Sequence, residues 1–434
     1  MKKRLWLMSL SLTLLTVVLA LFFGCTPPAN PPAEEPPVPE VNATVGLSYQ
    51  LSEDGASYML MGRGEATDVN LVIPSEHEGL PVTAISGSAF YQDEFLVSIY
   101  IPATIEDVGV FAFLGCPKLV SIEAEHGGRY TASGNCLIDT KTSTLIRGCN
   151  NSVIPDVRLI AGSAFRDCVG LASVEIPASV TFVGPQAFKG CTSLQSVSLG
   201  ASLSYLSDSL FEGCKALTFI HIPKNIVGTG EDIFADCTSL DSVLIDNGIQ
   251  SLGYGMFQNC TALRSILLPD TLVEIKGETF AGCTSLYSIH LPDSIQFIGG
   301  STFSGCTALS NVNLPESITC IYTGTFKDCT SLVSIEIPEN VKTIRTGAFE
   351  GAGLFYIRIP STVNMIEYMA FLNCGLTFVD IEAGVICVQS LAFKGCQWLR
   401  QVRCGDTKQP EEWGEFLAES HASVKVFWGY DLAN

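Results

Sequence analysis

The sequence predicts a mainly β solenoid: stacked coils of about 23 residues, a parallel β-sheet on one face, and a cap at each end. Three observations carry this expectation. Phenylalanine recurs at Phe90, Phe113, Phe165, Phe188, Phe211, Phe234, Phe257, Phe280, Phe303, Phe326, Phe349, Phe371 and Phe393, spaced 23 apart from Phe165 to Phe349 and 22 thereafter. A strand-like run, L-x-S-[VI]-x-[IL]-P, recurs in step with it, as in Leu332-Val333-Ser334-Ile335-Glu336-Ile337-Pro338. Cysteine follows the repeat phenylalanine by three residues at Cys116, Cys168, Cys191, Cys214, Cys237, Cys260, Cys283, Cys306, Cys329, Cys374 and Cys396. One such coil cannot bury its own apolar face, whereas stacked coils share a continuous core.

The elements follow in chain order. Lys2, Lys3 and Arg4 precede an apolar run from Leu5 to Phe23, the pattern of an export signal over residues 1–24. Gly24-Cys25 resembles the bacterial lipobox, which implies lipidation of Cys25; the alternative is an uncleaved membrane span. Residues 25–40 then form a tether whose seven prolines favour polyproline II, reaching up to ~45 Å from the anchor. Glu34 and Glu35 resemble surface-export signals of some Gram-negative lipoproteins. Residues 41–80 read as an N-terminal β cap, with strand, turn and strand inside 46–64.

The array proper spans residues 81–405, with about fifteen rungs from Leu71-Val72-Ile73-Pro74 to Leu399-Arg400-Gln401-Val402. In each coil the Leu and the two branched positions of the strand point inward, and proline closes it. A second short segment of the SVTxIG type follows, then the AFxGCTS turn, which buries Ala, Phe and Cys. The interval from Phe113 to Phe165 is 52 residues, two periods plus six. A β-hairpin projecting at about 124–152 fills it, centred on NCLIDTKTSTLIRGC. Residues 406–434 read as the C-terminal cap: a short helix after Pro410, then a last strand in SVKVFWGY.

Composition excludes several function classes. The chain holds 24 Lys plus Arg against 44 Asp plus Glu; removing residues 1–24 leaves 21 against 44, or −23. So acidic a surface repels phosphate backbones, and no basic block compensates, so nucleic acid is not an expected partner. Seventeen cysteines invite redox or metal chemistry, but no CxxC occurs, and the eleven in the repeat point into a dry core as small hydrophobes. A symmetric hairpin about Thr142 and Ser143 places Cys136 opposite Cys149, a candidate disulfide. Cys320 and Cys387 share one repeat position three coils apart, ~14 Å, and cannot pair. His221 and His290 are equally separated, too far to hold one metal. No P-loop, dinucleotide fingerprint, HExxH or EF-hand loop occurs, so no cofactor, metal site or catalytic residue is expected. Glu123, Glu175 and Glu336 share a strand column, the weak basis for a glycosidase alternative.

The exposed columns of the strand are its second, third and fifth positions, where most coils place Ser third. The last coils depart from this with Phe355, Tyr356 and Arg358, then Phe378 and Asp380, then Arg400, Gln401 and Arg403; Phe219 and Tyr287 are further aromatic departures. Aromatic and Arg side chains on a rigid sheet are the types that anchor interfaces, so these residues are the candidate ligand site. The competing reading is that the C-terminal cap packs over them.

The unit IPxSVTxIGxxAFxGCTSLxSVxIP resembles the leucine-rich repeats of bacterial BspA-like surface proteins, over about residues 46–430. The NCLIDTKTSTLIRGC hairpin and the WGY ending resemble features of that family too. The resemblance implies a curved leucine-rich-repeat solenoid displayed on a bacterial surface and used in adhesion, aggregation or protein recognition. With the export signal and tether, it points to a non-catalytic, lipid-anchored recognition protein of the cell envelope, exposed on the outer membrane. It would be a monomer, bound to the membrane only through its lipid, and its ligand a host or neighbouring-cell protein or glycan. The alternatives are a surface glycan-processing enzyme or its substrate-binding partner, and a self-associating envelope component.

Overall fold

A computed structural model describes residues 42–417 and 423–430. The export signal, Cys25 and the proline tether lie outside the described residues. No described helix is long and apolar enough to cross a membrane.

The chain begins its fold as the hairpin Ser48–Leu51 with Tyr58–Gly62, antiparallel, as the spacing predicted. Tyr58–Gly62 then pairs in parallel with Leu80–Ile85, the first of the short second-side strands. On the face, Asn70–Val72, Ser98–Ile101 and Ser121–Ala124 stack as parallel rungs. Thr44 closes the first of these, accepting from the Val72 amide at 2.9 Å through Oγ1.

Each coil is held on its turn side by two columns. The phenylalanine rings stack from Phe165 to Phe393 with centroids 4.9–5.7 Å apart and planes within 12° of parallel. Such offset pairs add roughly 0.5–1.5 kcal/mol each beyond burial. Beside them, ten ladder thiols donate to the phenylalanine carbonyl of the preceding coil at 2.8–3.3 Å, as Cys260 does to Phe234. Cys168 bonds Gly148 instead, at 3.7 Å. Burial pushes all eleven thiols up, Cys283 and Cys396 to about 12. The residue before each cysteine turns the chain through left-handed φ, as at Asp236 (59°), Asn259 (57°) and Gly282 (73°). That is why this position alternates among Gly, Asn and Asp, the residues that tolerate it best.

The insertion is not a projecting hairpin. Tyr130–Ser133, Cys136–Asp139 and Thr144–Arg147 form an antiparallel meander, and Thr144–Leu145 continues in parallel onto Leu159–Ile160 and then Phe182–Val183. All four residues of Cys136–Asp139 are buried. Buried charges fix it there: Arg129 Nη2 lies 2.8 Å from Asp139 Oδ2, and Arg147 donates to the Ser163 and Arg166 carbonyls at 3.0 and 3.2 Å. Gly148 lies flat against Phe165, where a Cβ would come within 1.9 Å of the ring. Here the core divides in two, an N-terminal part ending at Cys149 and a longer part from Cys136 to Phe416.

That geometry also corrects the expected disulfide. Cys136 and Cys149 are both free thiols. The hairpin is centred on Lys141 and Thr142, since Asp139 faces Thr144, and a bulge between Leu137 and Ile138 shifts the register again. Cys149 therefore falls past the position opposite Cys136 and bonds Asn135 O at 3.5 Å, while Cys136 joins the other core. Cys320 and Cys387 do share a column, with Thr343 and Met365 between them.

At the C-terminus no helix forms among the described residues of 408–417. The segment instead follows the course of a further coil: the Gly414 amide donates to Val388 O at 2.9 Å, and Phe393 donates to Phe416 O at 3.2 Å. Trp413 Nε1 bonds Val385 O at 3.1 Å, and the Phe416 ring meets Phe393 edge-on, ending the stack. These bonds to the previous coil outcompete local helix propensity. Lys425–Trp428 is the last strand, parallel to Gln401–Cys404.

Candidate functional site

The face ladder is not continuous, and its breaks define the site. Its ladders are Asn70 to Ala124, Ser173 to Ser198, Phe219 to Ile245, Ser288 to Val312, and a final one of four strands. Two rungs, around 152–155 and 333–337, lie in no ladder on either side. A cleft lies beside each of these two rungs. The first, about 370 Å³, is lined by Ser152, Val153, Ser173 and Glu175 over a floor of Phe165 and Leu171. The second, about 430 Å³, is lined by Asn311, Ser334, Glu336, Tyr356 and Arg358 over Ile335 and Ile337.

The final ladder carries the aromatic and charged departures. Its register aligns Tyr356, Phe378, Gln401 and Lys425 in one column and Arg358, Asp380, Arg403 and Phe427 in the next. Asp380 is only 4% exposed and organises the group. It accepts from Tyr356 Oη at 2.8 Å and from Arg403 through Nε at 2.5 Å and through Nη2. Arg403 also lies over the Tyr430 ring, 4.9 Å from its centroid. Burial, with the bond to Asp380, pushes the Tyr356 hydroxyl up to about 12, so it remains a donor throughout the neutral range. Arg358 ion-pairs with Glu339 at 3.3 Å and with Glu382.

The sequence-derived set therefore divides. Tyr356, Asp380 and Arg403 form an internal network, and Arg358 is paired at the rim. Phe355 and Phe378 remain 54% and 36% exposed, in edge-to-face contact at 5.9 Å, and Arg400 is exposed. Among the described residues the cap covers this patch only in part: Tyr430 shields Arg403, and Phe427 extends the column as a further rung. Replacing Asp380 by Asn should lower the unfolding free energy by about 2–3 kcal/mol. That is below the ~3–5 kcal/mol of a fully buried pair, because Arg403 keeps 29% of its side chain in water. Denaturant melts check this; a change under ~0.5 kcal/mol would show the network to be dispensable.

Sequence reasoning missed the clefts, although a signal existed. Ser173-Val174-Glu175-Ile176-Pro177 and Ser334-Ile335-Glu336-Ile337-Pro338 are nearly the same sequence; the first borders the open rung at 152–155 and the second is itself the other open rung. Glu175 and Glu336 stand seven coils apart, ~34 Å, far beyond the ~5–9.5 Å of a glycosidase carboxylate pair. Glu123 and Glu175 have the rung of Val153, whose amide donates to Gly134 O at 2.9 Å, between them. His221 Nε2 is 3.1 Å from Asp246 Oδ2, and His290 bridges to Leu267. Among the described residues no group of three His, Cys, Asp or Glu is placed to hold a metal ion.

Parallel rungs, a stacked phenylalanine column and a side-chain-bearing sheet face define a leucine-rich-repeat solenoid. The chain belongs to the family of the BspA type leucine rich repeat region, whose model matches residues 82–154, 158–287 and 273–400 in six copies. Among solved structures it is similar to a leucine-rich repeat protein from Bacteroides ovatus, at 25% identity and a TM-score of 0.64, covering 90% of this chain and 100% of that one. It also resembles, in fold, the pneumococcal vaccine antigen PcpA, at 18% identity and a TM-score of 0.56, covering 90% and 98%. A leucine rich cell surface protein from Faecalibacterium prausnitzii matches at 22% identity and a TM-score of 0.50, covering 85% and 95%. None of the curated proteins matches the chain.

Proposed function

We propose that this protein is a non-catalytic recognition protein of a bacterial cell surface. It is held to the outer membrane by a lipid on Cys25 and extended on the proline tether, and it acts as a monomer. Its ligand is a protein or glycan of a host or neighbouring cell, bound on the sheet face. The observation that carries this reading is the pair Phe355 and Phe378, rigid aromatics left exposed on a ladder whose Arg358, Asp380 and Arg403 are already paired. Exposed aromatics on a fixed scaffold are typical binding hot spots, and their two χ angles cost little entropy on binding. The description of the Faecalibacterium relative as a cell surface protein supports the location.

The test uses the chain from residue 41 onward, immobilised and presented with matrix proteins, mucins and glycans. Retention of a ligand is expected, and Phe355→Ala with Phe378→Ala should weaken it at least tenfold with the melting temperature nearly unchanged. Tyr356 is unsuitable for this test because its hydroxyl holds Asp380. A collapse of stability in the double variant would make the aromatics structural, and no retention by the intact domain would sink the recognition reading.

A further inference from the structure

We infer that the two clefts are matched subsites for one linear, uncharged polysaccharide lying along the sheet face. This rests on the recognition reading and names the ligand class within it. Three observations lead there.

The first is the unpaired backbone. Among the described residues, the amides and carbonyls of Ser334, Ile335, Glu336 and Ile337 in the second cleft make no hydrogen bond to backbone or side chain, whereas at the first cleft the Val153 amide is held by Gly134 O at 2.9 Å. In the flanking rungs, Val312 and Ile357 lie inside ladders. Main-chain donors and acceptors alternate along that rung beside the hydroxyls of Ser334 and Tyr356 and the amide of Asn311. A ligand dense in groups that both donate and accept is the complement, which describes sugar hydroxyls.

The second is charge. Glu336 and Glu175 are exposed carboxylates with no ion pair or hydrogen bond among the described residues. The one cation lining a cleft, Arg358, is already held by Glu339 and Glu382. An anionic polymer would meet an unpaired carboxylate at each cleft on a chain of net charge −20. An uncharged glycan meets two acceptors for its hydroxyls. Each cleft keeps a narrow apolar edge, Ile335 in one and Ile154 in the other, both 9% exposed, against which the C–H groups of a pyranose can rest.

The third is repetition. Both clefts present Ser at the third strand position and Glu at the fifth, in the same columns of one face, seven coils or ~34 Å apart. Two equivalent sites in a line fit a ligand that repeats along its own length. A folded protein partner would have to offer the same surface twice at that separation.

The experiment measures binding of the chain from residue 41 onward to a neutral glucan and a neutral mannan, each as a short oligosaccharide and as a long polymer. Polygalacturonate, a lysine-rich peptide and a deglycosylated mucin serve as comparisons. A neutral short oligosaccharide should bind at two per chain, and its polymer at least tenfold more tightly by linkage of the two sites. Raising salt should leave both affinities unchanged, because no charge is neutralised. Ser334→Ala with Glu336→Gln, or Ser173→Ala with Glu175→Gln, should halve the oligosaccharide stoichiometry and bring polymer affinity down to the oligosaccharide level. All four side chains are exposed, so these variants fold. Binding confined to polygalacturonate or to the peptide overturns the inference, as does neutral-glycan binding that neither cleft variant alters. If the deglycosylated mucin is retained through Phe355 and Phe378 while every glycan passes, the recognition reading stands and this inference falls. Glycan binding that depends on the clefts but not on those aromatics keeps the inference and moves the hot spot.

Discussion

Raising the pH should unfold this protein cooperatively between about pH 9.5 and 11, well before its backbone or other groups demand it. The cause is the cysteine column. An unfolded thiol ionises near pH 8.5–9, whereas burial pushes all eleven ladder thiols up, Cys116 and Cys168 to about 11 and Cys283 and Cys396 to about 12. A group whose folded pKa is raised contributes its stability in full below the unfolded pKa. That contribution is then lost as pH climbs toward the folded value. Each thiol removes about 1.4 kcal/mol per pH unit in that window, so eleven together remove about 15 kcal/mol per unit. A loss of that order exceeds what a folded domain can usually absorb. Circular dichroism against pH checks the expectation, with thiol labelling at neutral pH to establish that the ladder is closed in the native state. Replacing Cys260 and Cys283 by Ala should flatten the dependence by two groups' worth and move the midpoint upward. A chain that stays folded to pH 12 would contradict it.

Phe257→Ala is the single substitution expected to cost most. The ring is fully buried, midway along the stack, 5.6 Å from both Phe234 and Phe280. Truncation leaves a cavity with rigid walls, at about 3–5 kcal/mol, and removes two ring contacts at once. Because each coil touches only its neighbours, the loss weakens one nearest-neighbour interface in the middle of the array. The denaturant midpoint should fall sharply, and the transition should broaden as the two flanking segments lose their coupling. Phe219→Ala provides the contrast: that ring is 47% exposed on the sheet face, and its loss should stay within ~0.5 kcal/mol. Equal effects at the two positions would mean that the stack does not hold the coils together.

The features that came through from sequence are those imposed coil by coil. The spacing of Phe165 to Phe393 fixed the stack, since a side chain repeated at the coil length must lie over its predecessor. Cysteines three residues on fell into the same dry column, and SVKVFWGY supplied the last rung at Lys425–Trp428. The hairpin of 46–64 and the shared column of Cys320 and Cys387 were legible on the same grounds. Where the period lapses, local reasoning failed. NCLIDTKTSTLIRGC reads as a hairpin, but whether it projects or inserts depends on which neighbours offer strand edges. A single bulge beside Leu137 then decides whether Cys136 faces Cys149. KQPEEWGEF carries a helix-like composition, yet bonds from Gly414 and Trp413 to the previous coil override it.

For the candidate site the division is similar. The exposed columns could be read from strand alternation, and with them Phe355, Tyr356, Arg358, Phe378, Asp380, Arg400 and Arg403. Burial of Asp380 could not, because it depends on Tyr356 and Arg403 arriving from adjacent rungs. Nor could the two open rungs, since Ser152-Val153-Ile154-Pro155 and Ser334-Ile335-Glu336-Ile337-Pro338 carry the same apolar-and-proline pattern that elsewhere simply continues a sheet.

The sequence by itself determined that this chain is one array of coils of about 23 residues, with phenylalanine and cysteine at its axis. A repeat is a statement about nearest neighbours, and nearest neighbours are what a periodic sequence encodes. Only the tertiary structure decided how the insertion divides the core, which face residues are spent on one another, and where the ladder opens. Those outcomes turn on angstrom-scale fit between coils that differ, which no single coil's residues contain.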